Sequence, residues 1–372
     1  EIKRTLRALQ PQPPFITSTL QQEASKLLGF PSYRTMSIAQ QLYEGIDLKG
    51  ETTGLITYMR TDSVRIAAEA VENCRDLIRE RFGADELHAT ARVYKNKSSA
   101  QDAHEAIRPT DAFHTPESVA ASLSKEQLKL YTLIWQRFVA TQMRPVKLEN
   151  TSTKVSLGEA LFAASGNRVV EEGFMKAWPH VMLVEGAQIH AAYAKNDELA
   201  HDALKRSQHF TSPPPRFTEA SLIKELEAKG IGRPSTYSSI ISTIKKRKYV
   251  GMEKKSFLPT DLGNDVNRFL VGNFDAIFNV SFTAQMETKL DEVEEKKAVW
   301  HELVQSYYEE LTKLIKGLDI KKEKSAFTQE TDIVCEVCGE GKMVIKRSKG
   351  GEFLACNRFP ACRNSKNFSR DA

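Results

Sequence analysis

The chain has 372 residues, of which 41% are hydrophobic, so it is long enough to bury cores in two to four domains. Lys and Arg total 53 against 48 acidic residues, and the resulting charge of +5 permits a polyanionic partner without requiring one. The sequence has no apolar run of about eighteen residues, which argues against a membrane span, and it has no signal peptide. Because Glu1 stands where an initiator Met would, we expect the chain to begin inside a longer protein.

Three stretches of biased composition divide the chain. Residues 10–14 (QPQPP) and 212–215 (SPPP) are too rich in proline for a helix interior or a central strand. Residues 321–331 are charged and polar, which is typical of a linker. The pattern predicts mainly helices from 15 to about 145, β-strands from 150 to 210, and helices again from 216 to 318.

Residues 54–63 (GLITYMRTDS) are an apolar run followed by polar residues. The run predicts a short buried strand that ends at Tyr58, and Asp62 and Ser63 are predicted N-caps of a following helix. On one strand, Tyr58 and Arg60 would face the same side.

This arrangement would suit an attack on a phosphodiester. A phenol with a pKa of about 10 is a weak nucleophile at neutral pH, and a guanidinium can favour the phenolate and clasp a phosphate. The simpler interpretation of these two residues alone is a half-buried strand tyrosine beside a surface arginine.

A helical stripe follows, and it is made of Val64, Ala67, Val71, Cys74, Ile78 and Phe82. We therefore expect Cys74 to be a core residue and not a reactive thiol. Farther along, His104 could titrate near neutrality and bond a phosphate oxygen, or could only hold its neighbours. Arg108 could be a structural ion-pair partner.

Residues 150–210 are predicted to form a β-rich insert with short strands around Thr151, Thr153, Val155, Phe162 and Val169. A helix is then predicted from Thr218, its N-cap, to Lys229, with Gly230 as the stop. Pro234 is predicted in the first turn of the next helix, which ends in the basic residues 245–248 (KKRK). This pair resembles a helix-turn-helix unit or an ordinary helical hairpin with a solvated basic end.

A long apolar stripe is predicted to pack in a core, and it consists of Leu290, Val293, Trp300, Leu303, Tyr307, Leu311 and Leu314. After it come four of the five cysteines, Cys335, Cys338, Cys356 and Cys362. Two ligand pairs separated by a short hairpin favour structural zinc over disulfides, in a reducing cytoplasm. Nearby cations and two aromatics suit single-strand binding, although the aromatics could instead pack over the metal. These residues are Lys342, Lys346, Arg347, Lys349, Phe353, Arg358, Phe359 and Arg363.

Four blocks of this sequence together resemble the type IA DNA topoisomerases. Residues 56–63 (ITYMRTDS) resemble the active-site signature of the family, and residues 14–24 (PFITSTLQQEA) resemble the segment before it in bacterial members. Residues 104–110 (HEAIRPT) and 230–237 (GIGRPSTY) resemble two further blocks in the same order. Residues 353–362 resemble the zinc modules of the bacterial enzymes, of which only one is present here.

The resemblance implies a fold class that is multidomain and mainly α with a β-rich insert. It would comprise a partial type IA topoisomerase toroidal core and a small C-terminal zinc ribbon. The expected domains are residues 1–13 and 146–211 for a β-rich gate or hinge domain and 14–145 for a helical catalytic-tyrosine domain. Residues 212–325 would form a helical DNA-binding domain and 326–372 the four-cysteine zinc module.

The resemblance also implies the mechanism. Tyr58 would attack a phosphodiester in a single-stranded stretch and form a 5′-phosphotyrosine link, assisted by Arg60 and His104. Strand passage and religation would then relax negatively supercoiled DNA without ATP. The expected DNA contacts, which position the backbone without reading sequence, are Arg60, Arg233, Ser235, Thr236 and Arg247.

The resemblance further implies a magnesium-binding acidic domain in the parent protein. Nothing before Tyr58 offers its glutamate and paired aspartates, so this chain alone is expected to cleave poorly. The expected partner is single-stranded or negatively supercoiled DNA, for a monomeric, cytoplasmic, nucleoid-associated bacterial protein with no membrane contact.

Two rival classes stay open. A DNA-binding fragment without cleavage activity would share the same residues. A tyrosine recombinase also uses Tyr, Arg and His, but its His-x-x-Arg precedes the tyrosine, whereas here Tyr58 comes first and His104 and Arg108 are spaced differently.

Overall fold

The computed structural model describes residues 1–96, 104–181, 194–200, 203–318, 328–348 and 351–368. The chain falls into two compact units, residues 1–243 with 252–257 and residues 244–251 with 258–372. Most of the predicted linker at 321–331 and part of the predicted insert lie outside the described residues. No helix among those described is long and apolar enough to cross a membrane.

A three-stranded antiparallel sheet lies in the first unit. Its strands are β1 (Ile2–Leu9), β4 (Val146–Leu157) and β5 (Ala160–Glu171), in the order β1-β4-β5. Gly158, with a φ of +58°, sits in the turn of the β4–β5 hairpin. The β-branched and aromatic residues correctly predicted strands here, but β4 and β5 are twelve residues each and not short.

Helices fill the sequence between β1 and β4. They are α1 (Thr17–Glu23), which continues as a π-helical turn (Ala24–Leu28), α2 (Ser32–Glu44), α3 (Ala68–Arg81), α4 (Pro116–Val119) and α5 (Lys125–Gln142). A small hairpin, β2 (Ile46–Leu48) and β3 (Glu51–Thr53), follows α2. The central helix α5 starts with a capping box of Ser124 and Gln127, and its residues Leu130, Ile134 and Phe138 are almost completely buried.

The helix after the tyrosine begins later than predicted. We expected Asp62 or Ser63 to cap it, but α3 starts at Ala68, with Ala67 as the N-cap. The backbone N–H groups that a helix would leave open are bonded elsewhere: that of Ser63 to Thr61 Oγ at 3.0 Å, and that of Val64 to Asn96 Oδ1 at 2.8 Å. These bonds stabilise an irregular run in place of a helical turn. The prediction of a buried Cys74 is confirmed.

The two helices predicted from Thr218 onward agree closely with the cap and turn residues that predicted them. In α6 (Glu219–Ala228), Thr218 is the N-cap and exchanges hydrogen bonds with Ser221. Gly230 follows the helix with a φ of +69°, a left-handed conformation that favours glycine. Helix α7 (Tyr237–Lys246) starts three residues after Pro234, so this proline lies in the turn and not in the helix. The hairpin of β6 (Val250–Glu253) and β7 (Ser256–Pro259) comes next.

The second unit contains three amphipathic helices and a ribbon. The helices are α8 (Asp261–Asn273), α9 (Val280–Glu294) and α10 (Trp300–Lys316), and none of their residues is buried. The predicted core packing of the stripe from Leu290 to Leu314 is therefore wrong for the described part of the chain, where Leu290 is 51% and Trp300 64% exposed. The periodicity correctly indicated an apolar face, but it cannot tell whether another element covers that face.

The ribbon is a four-stranded antiparallel sheet in the order β11-β10-β9-β8. Its strands are β8 (Gln329–Val334), β9 (Lys342–Ser348), β10 (Gly351–Cys356) and β11 (Ser365–Asn367). Its small buried cluster consists of Cys335, Met343, Cys356 and Cys362.

Candidate active site and metal centre

Tyr58 lies directly after a buried segment. Leu55 and Ile56 are buried, the Leu55 N–H bonds the Leu42 carbonyl at the end of α2, and Ile56 forms an isolated bridge with Pro109. The predicted strand is therefore reduced to this single bridge. The tyrosine side chain itself is 42% exposed, so its phenol is accessible from solvent.

Two rings contact the ring of Tyr58. Tyr43, on α2, lies with its centroid 5.4 Å away at 66°, and His104 lies 6.2 Å away at 60°, both edge to face. The structure thus brings the predicted histidine to the tyrosine, although their numbers differ by 46 positions. Edge-to-face contacts fix the direction of a ring without covering its hydroxyl.

Backbone bonds explain why His104 lies there. The Thr57 N–H bonds the Arg108 carbonyl at 3.0 Å. The Thr57 hydroxyl donates to the Ala106 carbonyl at 2.7 Å and accepts from the Arg108 N–H at 3.0 Å. The segment that carries the histidine is therefore attached to the residue next to Tyr58.

Arg108 has a structural role in this segment. Its guanidinium bonds Glu105 at 2.8 and 2.7 Å and the Pro109 carbonyl at 2.9 Å. These contacts favour the interpretation of Arg108 as a structural ion-pair partner.

Arg60 is exposed, and within the described residues it has no ion-pair partner. Exposure alternates along the loop, because Met59, between Tyr58 and Arg60, is only 1% exposed. Tyr58 and Arg60 are thus both exposed, and the residue between them is buried, although the backbone here is a bend and not the predicted strand.

A residue that the sequence analysis did not single out holds this loop. Thr17, the first residue of α1, is completely buried, and its hydroxyl lies 2.7 Å from the Met59 carbonyl and 2.9 Å from the Thr61 N–H. The only sequence signal for Thr17 was its position in the block 14–24, because both of its contacts join residues that are far apart in sequence.

Apart from Arg60, the predicted DNA contacts fall in two places. Arg233, Ser235 and Thr236 form the turn between α6 and α7 in the first unit, where Ser235 is exposed. The Thr236 hydroxyl is engaged in the turn, because it accepts from the Arg233 N–H at 2.8 Å. Arg247 belongs to the second unit and is exposed just after α7.

Lys248 follows Arg247 and has a φ of +57°. The Tyr249 N–H bonds the Ile244 carbonyl and the Lys248 N–H bonds the Lys245 carbonyl. This is a Schellman motif with a lysine where glycine is usual.

The four cysteines converge as predicted. Their sulfurs all lie within 4.8 Å of one another, with Cys335 to Cys362 at 3.8 Å and Cys338 to Cys356 at 3.7 Å. Four thiolates at about 2.3 Å from a tetrahedral zinc ion stand roughly 3.8 Å apart, so the spacing fits this metal.

Neighbouring groups also prepare the sulfurs for a cation. The Gly341 N–H and the Asn364 amide donate to Cys338 and Cys335, both at 3.4 Å. Hydrogen bonds, the largest contribution coming from Asn364, lower the pKa of Cys335 to about 6, which favours the thiolate that zinc binds. The pKa values of Cys356 and Cys362 are raised instead, because the backbone bonds that lower them are outweighed by burial and by hydrogen bonds with the neighbouring sulfurs. Burial also raises the pKa of Cys74, the thiol outside the cluster.

The surroundings of the ribbon's cysteines are cationic and partly apolar. Phe359 is 64% exposed and does not pack over the cysteines, whereas Phe353 is half-buried. Lys349 and the side chain of Arg347 lie outside the described part of the structure.

Comparisons with known proteins agree over nearly the whole chain. A family model described as DNA topoisomerase matches residues 1–305, and one described as topoisomerase DNA binding C4 zinc finger matches residues 332–371. DNA topoisomerase 1 of Treponema pallidum (strain Nichols) is 43% identical over 368 residues, which is 98% of this chain and 50% of that protein.

Among solved structures, full-length topoisomerase I from Thermotoga maritima matches with a TM-score of 0.73 and 34% identity. The match covers 100% of this chain and 60% of that one. The chain spans about half the length of the curated relative that it matches.

Proposed function

Because the chain belongs to the DNA topoisomerase family and has a partial type IA topoisomerase fold with a zinc ribbon, we propose that Tyr58 is the nucleophile of a single-strand-cleaving topoisomerase. The observation that carries this proposal is an exposed phenol on an anchored loop, with the His104 ring 6.2 Å from its own ring and Arg60 exposed two residues farther along the chain. An isomerase of this kind would act on DNA. We propose this activity for the whole protein, because this chain spans about half the length of the curated relative that it matches.

The proposed step exchanges one phosphodiester for another. The Tyr58 oxygen attacks phosphorus, the bond to the 3′ oxygen breaks, and the proton released by the phenol ends on that 3′ oxygen. A 5′-phosphotyrosine link and a free 3′-hydroxyl result. Another strand passes, and the reverse attack by the 3′-hydroxyl reseals the break. The number of phosphoester bonds does not change, so relaxation of negatively supercoiled DNA needs no ATP.

Arg60 and His104 would lower the barrier of this exchange. The guanidinium can bind two phosphate oxygens and stabilise the charge that develops on them. The imidazole can donate a hydrogen bond to the phosphate or help to move the proton. Arg233, Ser235, Thr236 and Arg247 are proposed to hold the strand by its backbone, which predicts binding that weakens as salt rises.

Magnesium does not fit the residues described here. Within the described ranges, the four cysteines are the one group of three or more His, Cys, Asp or Glu residues placed to hold a metal ion. We therefore propose that a magnesium-binding acidic domain lies elsewhere in the longer protein and that this chain alone cleaves poorly. The cysteines fit zinc, which would hold the ribbon together and leave no open coordination position.

The ribbon is proposed to bind single-stranded DNA. Phe359 offers an exposed ring on which a base can stack, and the exposed Arg363 supplies positive charge. Arg358 and Lys342 are paired with Glu340 and Asp332, so they would have to exchange these partners to bind a phosphate. We propose a monomeric, cytoplasmic, nucleoid-associated protein.

A second candidate function is strand binding without cleavage. Because the described residues offer no magnesium site, strand binding without cleavage is the function that we propose for this chain in isolation. A recombinase is disfavoured, because Arg108 is bonded to Glu105 and is not free to hold a phosphate.

Covalent capture tests the proposal. Single-stranded DNA labelled 5′ to a central site and, separately, 3′ to it is incubated with this chain, Mg²⁺ and an acidic metal-binding domain supplied in trans. After denaturation we expect protein-bound label only from the DNA labelled on the 3′ side, since the tyrosine holds the 5′ phosphate. The label should vanish in Tyr58→Phe and need the added domain.

Two other tyrosines provide controls for this assay. Tyr33→Phe alters a 59% exposed tyrosine on α2 and should leave the label unchanged. Label that is lost in Tyr43→Phe but kept in Tyr58→Phe would assign the nucleophile to the neighbouring ring. If no mixture gives label while DNA is still bound, the binding-only function replaces the proposed one.

A further inference from the structure

We propose that Thr17 is a positioning residue for the cleavage step, acting through the backbone on either side of Arg60. This inference rests on the proposed function, because it concerns the geometry of the loop that carries Tyr58 and Arg60. Thr17 would not touch the DNA. Its hydroxyl would fix the position of Arg60 relative to the DNA phosphate.

The contacts of Thr17 bracket one residue. Its hydroxyl donates to the Met59 carbonyl at 2.7 Å, lies 3.1 Å from the Thr61 carbonyl, and accepts from the Thr61 N–H at 2.9 Å. Its own N–H donates to the Thr61 carbonyl at 2.9 Å. Both peptide groups that flank Arg60 are thus bonded to the same side chain.

The anchor is itself buried and attached to the start of a helix. Thr17 is the completely buried first residue of α1, and the Thr19 hydroxyl in the same turn accepts from the Ile16 N–H at 3.0 Å and donates to the Ile16 carbonyl at 3.1 Å. Two residues earlier, the carbonyl of Phe15 accepts from the Ile107 N–H at 2.8 Å. The short segment 15–17 therefore touches both the loop of Arg60 and the segment that follows His104, and it fixes the two relative to each other.

The chemistry of the contact requires a hydroxyl. The group must donate to one carbonyl and accept from one N–H at once, which serine and threonine can do and valine cannot. Valine has the same shape, so Thr17→Val would remove both bonds with little change in packing. The Met59 carbonyl and the Thr61 N–H would then be buried without this partner, and the loop would shift to find others.

Such a shift matters because arginine must meet the phosphate in one geometry. A misplacement of about 1 Å can slow an enzymatic step roughly 100-fold. We expect Thr17→Val to reduce the single-turnover rate of adduct formation at saturating DNA by about 10- to 100-fold. The DNA concentration at half-saturation should change by less than about threefold, since most of the proposed backbone contacts lie elsewhere.

The experiment uses the reconstituted capture assay with matched variants. Thr17→Ser keeps the hydroxyl and should restore most of the rate. Thr35→Val is the control, because Thr35 is also completely buried but its hydroxyl bonds only the Pro31 carbonyl within its own helix. In an Arg60→Ala background, Thr17→Val should lower the rate by less than about twofold further, since residues that act through one another are not additive.

The outcomes separate this inference from the function on which it rests. If the unaltered chain gives no Tyr58-dependent adduct, the proposed function fails and the role of Thr17 fails with it. If the adduct forms but Thr17→Val matches Thr35→Val, or if its effect is fully additive with Arg60→Ala, only the role of Thr17 is wrong. Should Thr17→Val not fold at the assay temperature, Thr17→Cys replaces it, with a weaker donor of similar size, and a rate equal to that of the unaltered chain would overturn the proposal.

Discussion

The tyrosine region and the cysteine ribbon hold functional surfaces in place by different means. The core of the first unit contains large, fully buried side chains from several helices, among them Leu42, Tyr131 and Phe138, together with the bridge residue Phe15. The buried cluster of the ribbon contains three cysteines and one methionine. The first region can be stable through apolar burial alone, whereas the ribbon buries too little and depends on its metal. The two regions thus contrast apolar packing with a cysteine cluster that fits a metal as the support of a surface.

Removal of the metal should have the largest effect, because it should unfold the ribbon and leave the tyrosine region folded. A strong chelator or Cys356→Ser should unfold the ribbon, because zinc contributes about 10–16 kcal/mol of apparent binding free energy to modules of this kind. Amide signals of residues 329–367 should collapse in an NMR spectrum while those of residues 15–145 persist.

Cys74→Ala is the control for the chelation experiment. It changes a cysteine outside the cluster, and the bound zinc should stay at one ion per chain. Ribbon signals that survive chelation would contradict the dependence on metal.

An ion-pair substitution should have an intermediate effect in the packed region. Glu86 is 4% exposed and bonds Arg144 at 2.9 and 3.0 Å and Lys176 at 2.6 Å. Glu86→Gln should lower the free energy of unfolding of this region by about 2 kcal/mol at pH 7, because it leaves two cations without their shared partner.

The effect of this substitution should depend on pH. Burial alone would raise the pKa of Glu86, but the bonds from Arg144 and Lys176 outweigh it and lower the pKa. A carboxyl whose folded pKa is depressed stabilises the fold above its unfolded pKa of about 4.5 and loses this contribution as the pH falls through the folded value. Urea denaturation followed by tryptophan fluorescence should therefore show a gap between the two proteins that is full at pH 7 and smaller below pH ~4. A constant gap would mean that packing, and not charge, is responsible.

The matching substitution in the ribbon should have the smallest effect. Glu336 bonds Lys366 at 2.6 Å, but both side chains are more than half exposed. Glu336→Gln should change the free energy of unfolding of the zinc-bound ribbon by less than about 0.5 kcal/mol, as is usual for surface pairs. Thermal denaturation with bound zinc provides the measurement. A loss as large as that in Glu86→Gln would show that side-chain contacts contribute more to the ribbon than its metal-centred core suggests.

Local signals in the sequence predicted the parts of the fold that depend on local chemistry. Thr218 and Gly230 marked both ends of α6, and the spacing of the cysteines predicted a cluster that the structure confirms. A cap and a ligand pair can be recognised from a few neighbouring residues.

The parts that failed depend on distant contacts. The start of α3 was predicted too early because Asn96, far along the chain, bonds the backbone after Ser63. The stripe from Leu290 to Leu314 is predicted as core but is partly exposed, because the period of an apolar pattern does not show whether another element covers the apolar face. The approach of His104 to Tyr58 required the resemblance, since the two segments are joined by bonds between positions far apart in sequence, such as those of Thr57 and the bridge of Ile56 with Pro109. The catalytic and DNA-binding roles of the predicted residues stay predictions.

The pairing of β1 with β4 has a consequence for the order of folding. Leu9 lies opposite Val146, so the two strands close a loop that contains the whole helical region from Gln10 to Pro145. The β4–β5 hairpin is local and can form early, whereas β1 must wait until the helices have brought its partner close. During synthesis on the ribosome, β1 emerges before any residue it will pair with. We expect it to be the last strand to gain protection from hydrogen exchange.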